Sequence, residues 1–376
     1  MPVVYLHIGM PKTGTTTLQF FLGKNRKVLN KNGVDYPNAS LFLTKLGYNP
    51  NRNALWVHQG YGKPKYDAYV QTLIDICKKH DTVVLSDEGI YHRYYRKPEL
   101  IRTLKERLSA AGIDLKVVVY LRRQDDYLYS LWAQYVKEYV TDSFEDWLET
   151  GDNKAAVDYR MYLERLSDDI GEENLVVRPY EREQLKNKSI NDDFLALLGL
   201  TITEEYTEAK ADYNVSLQDI YLEVKRMLNH ERAFGMNKTT AGKKPGQFRI
   251  AAFHTKAIVR AQEKARAEGT LQDRSCFPTS RRTEFMKEFE DGNRAVAQRH
   301  LKGSESLFTE PIKQVEAEPE HYEYRDVQRV LVEMLKCEGE IHRQTMRENK
   351  KLRDEIKRRA HRFLNRTLKK MGMKPV

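Results

Sequence analysis

The sequence predicts an α/β fold in three layers, a central parallel sheet flanked by helices, with a long helix appended at the C-terminus. Short, nearly continuous apolar runs at residues 3–8, 82–86, 115–121 and 174–178 alternate with stretches of helical spacing. Strands that are apolar on both faces need cover on both faces, which parallel sheets obtain from crossover helices. From about Glu318 onward, Val327, Val330, Met334, Cys337 and Ile341 keep alternating spacings of three and four, the mark of one long helix with an apolar seam.

The elements follow in order. The β-branched run from Val3 ends at Gly9, and Leu18, Phe21, Leu22 and Val28 carry helical spacing over 15–29. Helices are expected near 66–80, 97–111, 124–140 and 157–169, each beside one of the later strands. Beyond about 205 the chain turns helical and polar, with a Gly/Lys/Pro loop expected over 235–246 as a cover for the site. The expected division is an α/β domain over 1–312, in which 205–312 is a mostly helical cap, and a basic helical extension over 313–376.

Bulk properties narrow the class. The chain has 376 residues, enough for one large α/β domain with appendages, and 40% hydrophobic with 31% charged residues is globular composition. No run approaches the roughly 18 to 20 apolar residues that span a bilayer. The opening Met1-Pro2-Val3-Val4 lacks the charged and apolar regions of an export signal, and Cys77, Cys276 and Cys337 lack zinc or disulfide spacing. A cytoplasmic location is expected. The net charge of +10 is concentrated: residues 343–376 hold thirteen Lys or Arg against Glu348, Asp354 and Glu355, leaving the other 342 residues neutral. A nucleic-acid-binding body is therefore not expected.

After the first strand comes Gly9-Met10-Pro11-Lys12-Thr13-Gly14-Thr15-Thr16-Thr17, where the N–H groups of a helix start would face an anion. Small residues let the backbone approach phosphate oxygens, hydroxyls add donors, and Lys12 adds a point charge. The lysine precedes Gly14, so the loop departs from G-x-x-x-x-G-K-[ST], and it is not G-x-G-x-x-G. A tight turn with no ligand is the competing reading.

Residues His7 to Gln19 resemble the 5′-phosphosulfate-binding motif of sulfotransferases that use 3′-phosphoadenosine 5′-phosphosulfate (PAPS), with the pattern P-K-x-G-T-[ST]. That family's 3′-phosphate motif is an apolar strand ending in Arg with Ser eight positions later; here Val117 to Leu121 leads into Arg122, and Ser130 follows at that spacing. The resemblance covers roughly residues 1–310, including Asn293 to Ala297 and Leu307-Phe308. It implies a P-loop-type fold and PAPS held by Pro11, Lys12, Thr13, Gly14, Thr15, Thr16, Thr17, Arg122 and Ser130. Tyr180, in Arg178-Pro179-Tyr180-Glu181-Arg182, falls where the family places the nucleotide.

Sulfuryl transfer resembles phosphoryl transfer, where positioning and charge neutralisation do most of the work. Lys12 is the candidate for stabilising the leaving oxygen, and no metal is required in that scheme. Glu88, after the second strand in Leu85-Ser86-Asp87-Glu88-Gly89, is the candidate base; capping the next helix, or pairing with Arg93 or Arg96, is its structural alternative. Asp87 departs from the small residue of the family's glycan-modifying members. His7, His58 and His92 are alternative bases, with His7 more at home packed inside the first strand.

Trp56, His58, Tyr61, Tyr66 and Tyr69 form an aromatic stretch suited to stacking on sugars or to a core. His58, Tyr61 and His92 are the candidate acceptor-binding residues. The resemblance implies an acceptor that is a glycan, glycolipid or cell-envelope precursor, with a small alcohol or a peptide tyrosine as alternatives. The basic extension suits an anionic membrane surface, at the inner membrane face, or self-association as a coiled coil. Two rival functions are an ATP-dependent small-molecule kinase and a non-catalytic nucleotide-binding or scaffold protein built on the long helix.

Overall fold

The computed structural model describes residues 1–42, 51–150, 153–208, 216–234 and 245–370. Strand β1 (Val3–His7) leads through a loop into α1 (Thr15–Lys24) and α2 (Arg26–Lys31), and the short β2 (Val34–Asp35) follows. Helices α3 (Leu55–Gln59) and α4 (Tyr66–Cys77) precede β3 (Thr82–Ser86); α5 (Gly89–Arg96) and α6 (Glu99–Ala110) precede β4 (Asp114–Leu121). Then come α7 (Gln124–Glu138), α8 (Phe144–Glu149), α9 (Tyr159–Ile170), β5 (Leu175–Pro179) and α10 (Ile190–Leu197). Helices α11 (Asp219–Phe234) and α12 (Pro245–Ala267), β6 (Arg274–Ser275), α13 (Thr279–Lys287), α14 (Glu290–His300), β7 (Glu316–Ala317) and α15 (Tyr324–Lys370) complete the chain.

The central sheet has the order β2-β3-β1-β4-β5 with every pairing parallel. This is the P-loop-type three-layer arrangement expected, with one strand more than the apolar runs announced. Register aligns His7 with Ser86 on one side and with Val118 on the other. From β1 the chain runs out to the edge strand β2, returns to β3 on the same side, and then crosses to β4 on the other, so the strand order reverses at β1. In open α/β sheets the crevice at such a point, beyond the strands' carboxyl ends, is where ligands bind. The segments after β1, β3 and β4 all emerge there.

Two layers of side chains hold these strands. Leu18, Phe21 and Leu22 of α1 pack with Phe194 and Leu195 of α10 against Val84, Val118 and Tyr120 of the sheet. Burying five such side chains is worth on the order of 10 kcal/mol before the entropy of ordering them is counted. Asp193 fixes α10 by accepting Tyr120 Oη at 2.8 Å and the Arg178 guanidinium. On the other face, Tyr91 of α5 and Tyr162 of α9 stack at 4.3 Å.

The described chain forms two compact units. The first takes Met1–Trp132, Asp142–Asn214 and Phe277–Val315; the second takes Ala133–Thr141, Val215–Cys276 and Glu316–Val376. A boundary at 312/313 was expected, with 205–312 as a cap on the first domain. The structure instead assigns α11 and α12 to the unit that contains α15, because the apolar seam of α15 packs on them: Val330, Met334 and Cys337 are buried there. Lys264 reaches Glu333 at 2.5 Å and Arg260 reaches Glu340 at 3.4 Å along the same contact. The helix starts at Tyr324, later than the expected 318. Of the expected loop at 235–246, residues 235–244 lie outside the described residues, and Pro245 and Gly246 open α12.

Within the first unit, the returning segment 277–315 is fastened to the sheet's carboxyl edge. Arg123 and Arg282, both buried, share the buried Asp125 at 2.7 and 3.0 Å. Gln124 and Asn293 exchange amide hydrogen bonds of 2.7 and 3.1 Å, and Glu181 accepts the Thr309 and Glu310 N–H groups at 2.7 and 3.1 Å. Asn293, singled out in the sequence, thus closes the domain onto the residues that follow β4. Among the described residues no helix is long and apolar enough to cross a membrane.

Candidate functional site

The loop after β1 is shaped by two glycines and one lysine. Gly9 has φ +34°, and a Cβ there would lie 2.3 Å from Thr15 Cγ2. Lys12 and Gly14 stand in the left-handed region at φ 67° and 72°. Lysine pays steric strain for that conformation, so the surrounding structure has to hold it there. One holder is Thr13, fully buried, whose hydroxyl donates to Met10 O at 2.5 Å. Another is Arg122, whose Nη1 donates to Lys12 O at 3.1 Å.

The first bond made by α1 is Leu18 N–H to Gly14 O, at 3.0 Å. Among the described residues, the backbone N–H groups from Lys12 to Thr17 have no protein acceptor. Clustered free N–H groups at a helix start, with the dipole behind them, favour an anion. Burial, and next the charge of Arg122, hold the Lys12 ammonium below its ordinary pKa, while Glu88 pulls the other way. An anion bound here would relieve that penalty.

The expected phosphate ligands play distinct parts. Pro11 and Thr17 are half-buried and Thr16 is exposed at the helix start. Thr13 is turned inward, so its hydroxyl staples the loop and only its N–H is offered. The Thr15 hydroxyl is likewise engaged, donating to Glu88 Oε2 at 2.7 Å. Tyr180 lies over Gly14: a Cβ at Gly14 would sit 2.8 Å from Tyr180 Oη, which with φ 72° requires glycine. Tyr180 N–H extends the β4–β5 pairing to Leu121 O at 2.6 Å, setting the tyrosine beside Arg122. Arg122 is in turn oriented through its own carbonyl, which accepts Tyr159 Oη at 2.5 Å. Ser130 is half-buried on α7, two turns beyond Arg122.

On the β3 side, Glu88 is half-buried and makes neither a capping bond to α5 nor an ion pair with Arg93 or Arg96. Its contact with Thr15 brings it to the loop after β1. Asp87 beside it is fully buried and accepts four hydrogen bonds. Arg52 Nε and Nη2 reach it at 2.9 and 3.0 Å, His58 Nε2 at 3.1 Å and Gly89 N–H at 2.8 Å. Burial alone would raise its pKa, but the His58 and Arg52 hydrogen bonds outweigh it and hold the carboxyl below its usual range.

The histidines separate clearly. His7 is buried with Nδ1 2.9 Å from Ser86 Oγ, where Gln19 Nε2 also donates at 3.2 Å, and its Nε2 has no partner. Burial pushes its pKa down to about 3, so it is neutral packing below the loop and unsuited to take a proton. His92 pairs with Tyr127 Oη at 3.0 Å and falls to about 4 through burial and then Arg96. Tyr61 packs edge-on against Tyr66 with Oη 3.4 Å from Thr103 Oγ1. Among the described residues, no hydrogen bond, ion pair or ring contact joins Tyr61 or His92 to Lys12, Glu88 or Arg122. Of the aromatic stretch, Trp56 is fully buried and stacked on Phe42 at 5.2 Å and Tyr66 is buried, so both are core, whereas Tyr61 and Tyr69 are half-buried.

Sequence reading did not single out Arg52, Gln19, Ser86 or Tyr159, and took Asp87 only as a departure. Adjacent carboxylates at the carboxyl end of a strand were the available signal for Asp87. Nothing local marks Arg52, which arrives from 35 residues away.

No family model matches the chain. An uncharacterized protein of Archaeoglobus fulgidus is 27% identical over 204 residues, 54% of this chain and 50% of that protein. The chain thus spans about half the length of this curated relative. Among solved structures, a sulfotransferase from Alicyclobacillus acidocaldarius gives a TM-score of 0.33 at 17% identity, over 63% of this chain and 97% of that one. A structure from the PezAT chromosomal toxin–antitoxin system of Streptococcus pneumoniae gives 0.27 at 14% identity, over 62% and 87%.

Proposed function

We propose that the chain is a sulfotransferase that binds PAPS across the carboxyl ends of β1 and β4 and transfers its sulfuryl group to a hydroxyl of an acceptor. The observation that carries this reading is the run of free N–H groups from Lys12 to Thr17, joined to Arg122 by the bond to Lys12 O. One anion cradle alone would suit many phosphates; a second cationic group on the neighbouring strand suits a nucleotide with two separated phosphate groups. The fit is sound: the cradle has N–H donors, Lys12 and the Thr16 hydroxyl, and the second point has Arg122 and the Ser130 hydroxyl.

When bound, PAPS supplies an activated sulfuryl group on its 5′-phosphate. Lys12 and the α1 N–H groups neutralise the charge left on that phosphate. Arg122 and Ser130 hold the 3′-phosphate, and Tyr180 lies against Gly14 on the nucleotide side. Glu88 takes the acceptor proton with the carboxylate oxygen not engaged by Thr15. The acceptor class in this reading is polyhydroxylated: a glycan, glycolipid or cell-envelope precursor.

Calorimetry with adenosine 3′,5′-bisphosphate tests the donor site. Lys12→Ala and Arg122→Ala are each expected to weaken binding by roughly 10-fold or more, the scale of a lost charge-assisted bond. Glu88→Gln is expected to bind the bisphosphate normally and lose about 10²-fold in turnover. Unchanged affinity in both cationic variants would sink the assignment.

A further inference from the structure

Asp87 fixes the chemistry of His58. A carboxylate can only accept hydrogen bonds, and Asp87 is held ionised by Arg52, His58 and Gly89 around it. The imidazole nitrogen facing it, Nε2 at 3.1 Å, must therefore carry the hydrogen. In the neutral ring that leaves Nδ1 as a bare lone pair. Nδ1 has no hydrogen bond in the protein, and the His58 side chain remains 13% exposed, so the lone pair is not sealed in the core.

The ring lies over the start of α5. A Cβ on Gly89 would be 2.7 Å from His58 Nε2, so the absence of a side chain at 89 makes room for the imidazole. Gly89 follows Glu88 directly. Two groups able to accept a hydrogen bond thus flank one glycine: the Glu88 carboxylate, tied to the phosphate loop through Thr15, and the His58 ring, tied to the buried Asp87.

We infer that His58 is a specificity residue on the acceptor side: its Nδ1 receives a hydrogen bond from a second hydroxyl adjacent to the one that reacts at Glu88. The ligand class is a vicinal diol, as on a sugar ring. Two acceptor-only groups require two donors from the ligand, and a mono-alcohol leaves one of them unsatisfied. Asp87 and Arg52 act through His58 by fixing its tautomer and orientation. The inference rests on the sulfotransferase reading and goes beyond it by naming what distinguishes one acceptor from another.

The test uses full-length protein, PAPS, and trans-1,2-cyclohexanediol against cyclohexanol as acceptors, with release of the bisphosphate as readout. The wild type is expected to prefer the diol in kcat/KM by about tenfold, mainly through KM. His58→Phe should erase that preference without altering bisphosphate affinity. His58→Gln, which presents an amide N–H to Asp87 and a carbonyl oxygen at its other end, should restore it in part. Nitrogen-15 NMR of the imidazole should show the Nε2–H tautomer in the wild type. A diol preference that survives in His58→Phe, rejection of both alcohols by a wild type that binds the bisphosphate, or an Nδ1–H tautomer would each overturn the inference. Failure of the wild type to bind the bisphosphate would instead defeat the donor-site reading, and the tautomer would still decide the state of His58.

Discussion

His7 shows how a single side chain can be read correctly for its place and still carry an unread cost. It lies within β1 with Nε2 unpartnered, and its pKa falls from 6.5 to about 3. The native protein leaves it neutral where the unfolded chain protonates it. Between those values the unfolded state binds more protons, so stability is fully retained above about 6.5 and declines as pH falls toward 3. The contribution is roughly 1.4 kcal/mol per pH unit inside that window, or about 2 kcal/mol between pH 6.5 and 5. Denaturant titrations at pH 7 and pH 5 should find the wild type losing that much more than His7→Gln; equal losses would refute the assignment. His92 adds to the wild-type slope in the same direction, down to about 4. Lys12 and Arg122 were legible because their neighbours in sequence already define a strand end and a helix start. Asp87 and Arg52 were not, since their partnership forms only when distant segments meet.

At the scale of elements, the long apolar strands were plain in the sequence and the short pieces were not. Strand β2 has two residues, and nothing in so short a run separates it from a turn. Helix α5 begins directly after Glu88 and hides in a segment dense with Tyr and Arg, although Ile90, Tyr91 and Tyr94 bury one face. The seam of α15 was legible as a helix, but periodicity does not say what covers it. The structure answers with α11 and α12, so Val330, Met334 and Cys337 are not on offer to a second copy of the chain. Met334→Asp places a charge in that contact and is expected to cost about 3 kcal/mol or more. A melting temperature within a degree of the wild type would show that the seam is not packed as described.

For the whole molecule, the two compact units separate the charge as well as the contacts. Residues 343–376 hold thirteen cations against three acids, all within the second unit, whereas the proposed donor site belongs to the first. From Arg343 to Lys351 the described side chains of α15 are exposed. An anionic membrane surface is the partner we propose for this stretch. Truncation after His342 should abolish sedimentation with phosphatidylserine vesicles at low salt while leaving bisphosphate affinity unchanged. Vesicle binding that persists in the truncated chain would place the contact elsewhere.

The Thr15 hydroxyl has one hydrogen, and Glu88 holds it. To a group arriving at the start of α1 this threonine therefore presents lone pairs instead of a donor, until that hydrogen is surrendered. An anion oxygen that accepts it would free the Glu88 oxygen that now holds it. The loop after β1 and the residue after β3 thus share a single hydrogen, so whatever draws on one of them is felt at the other.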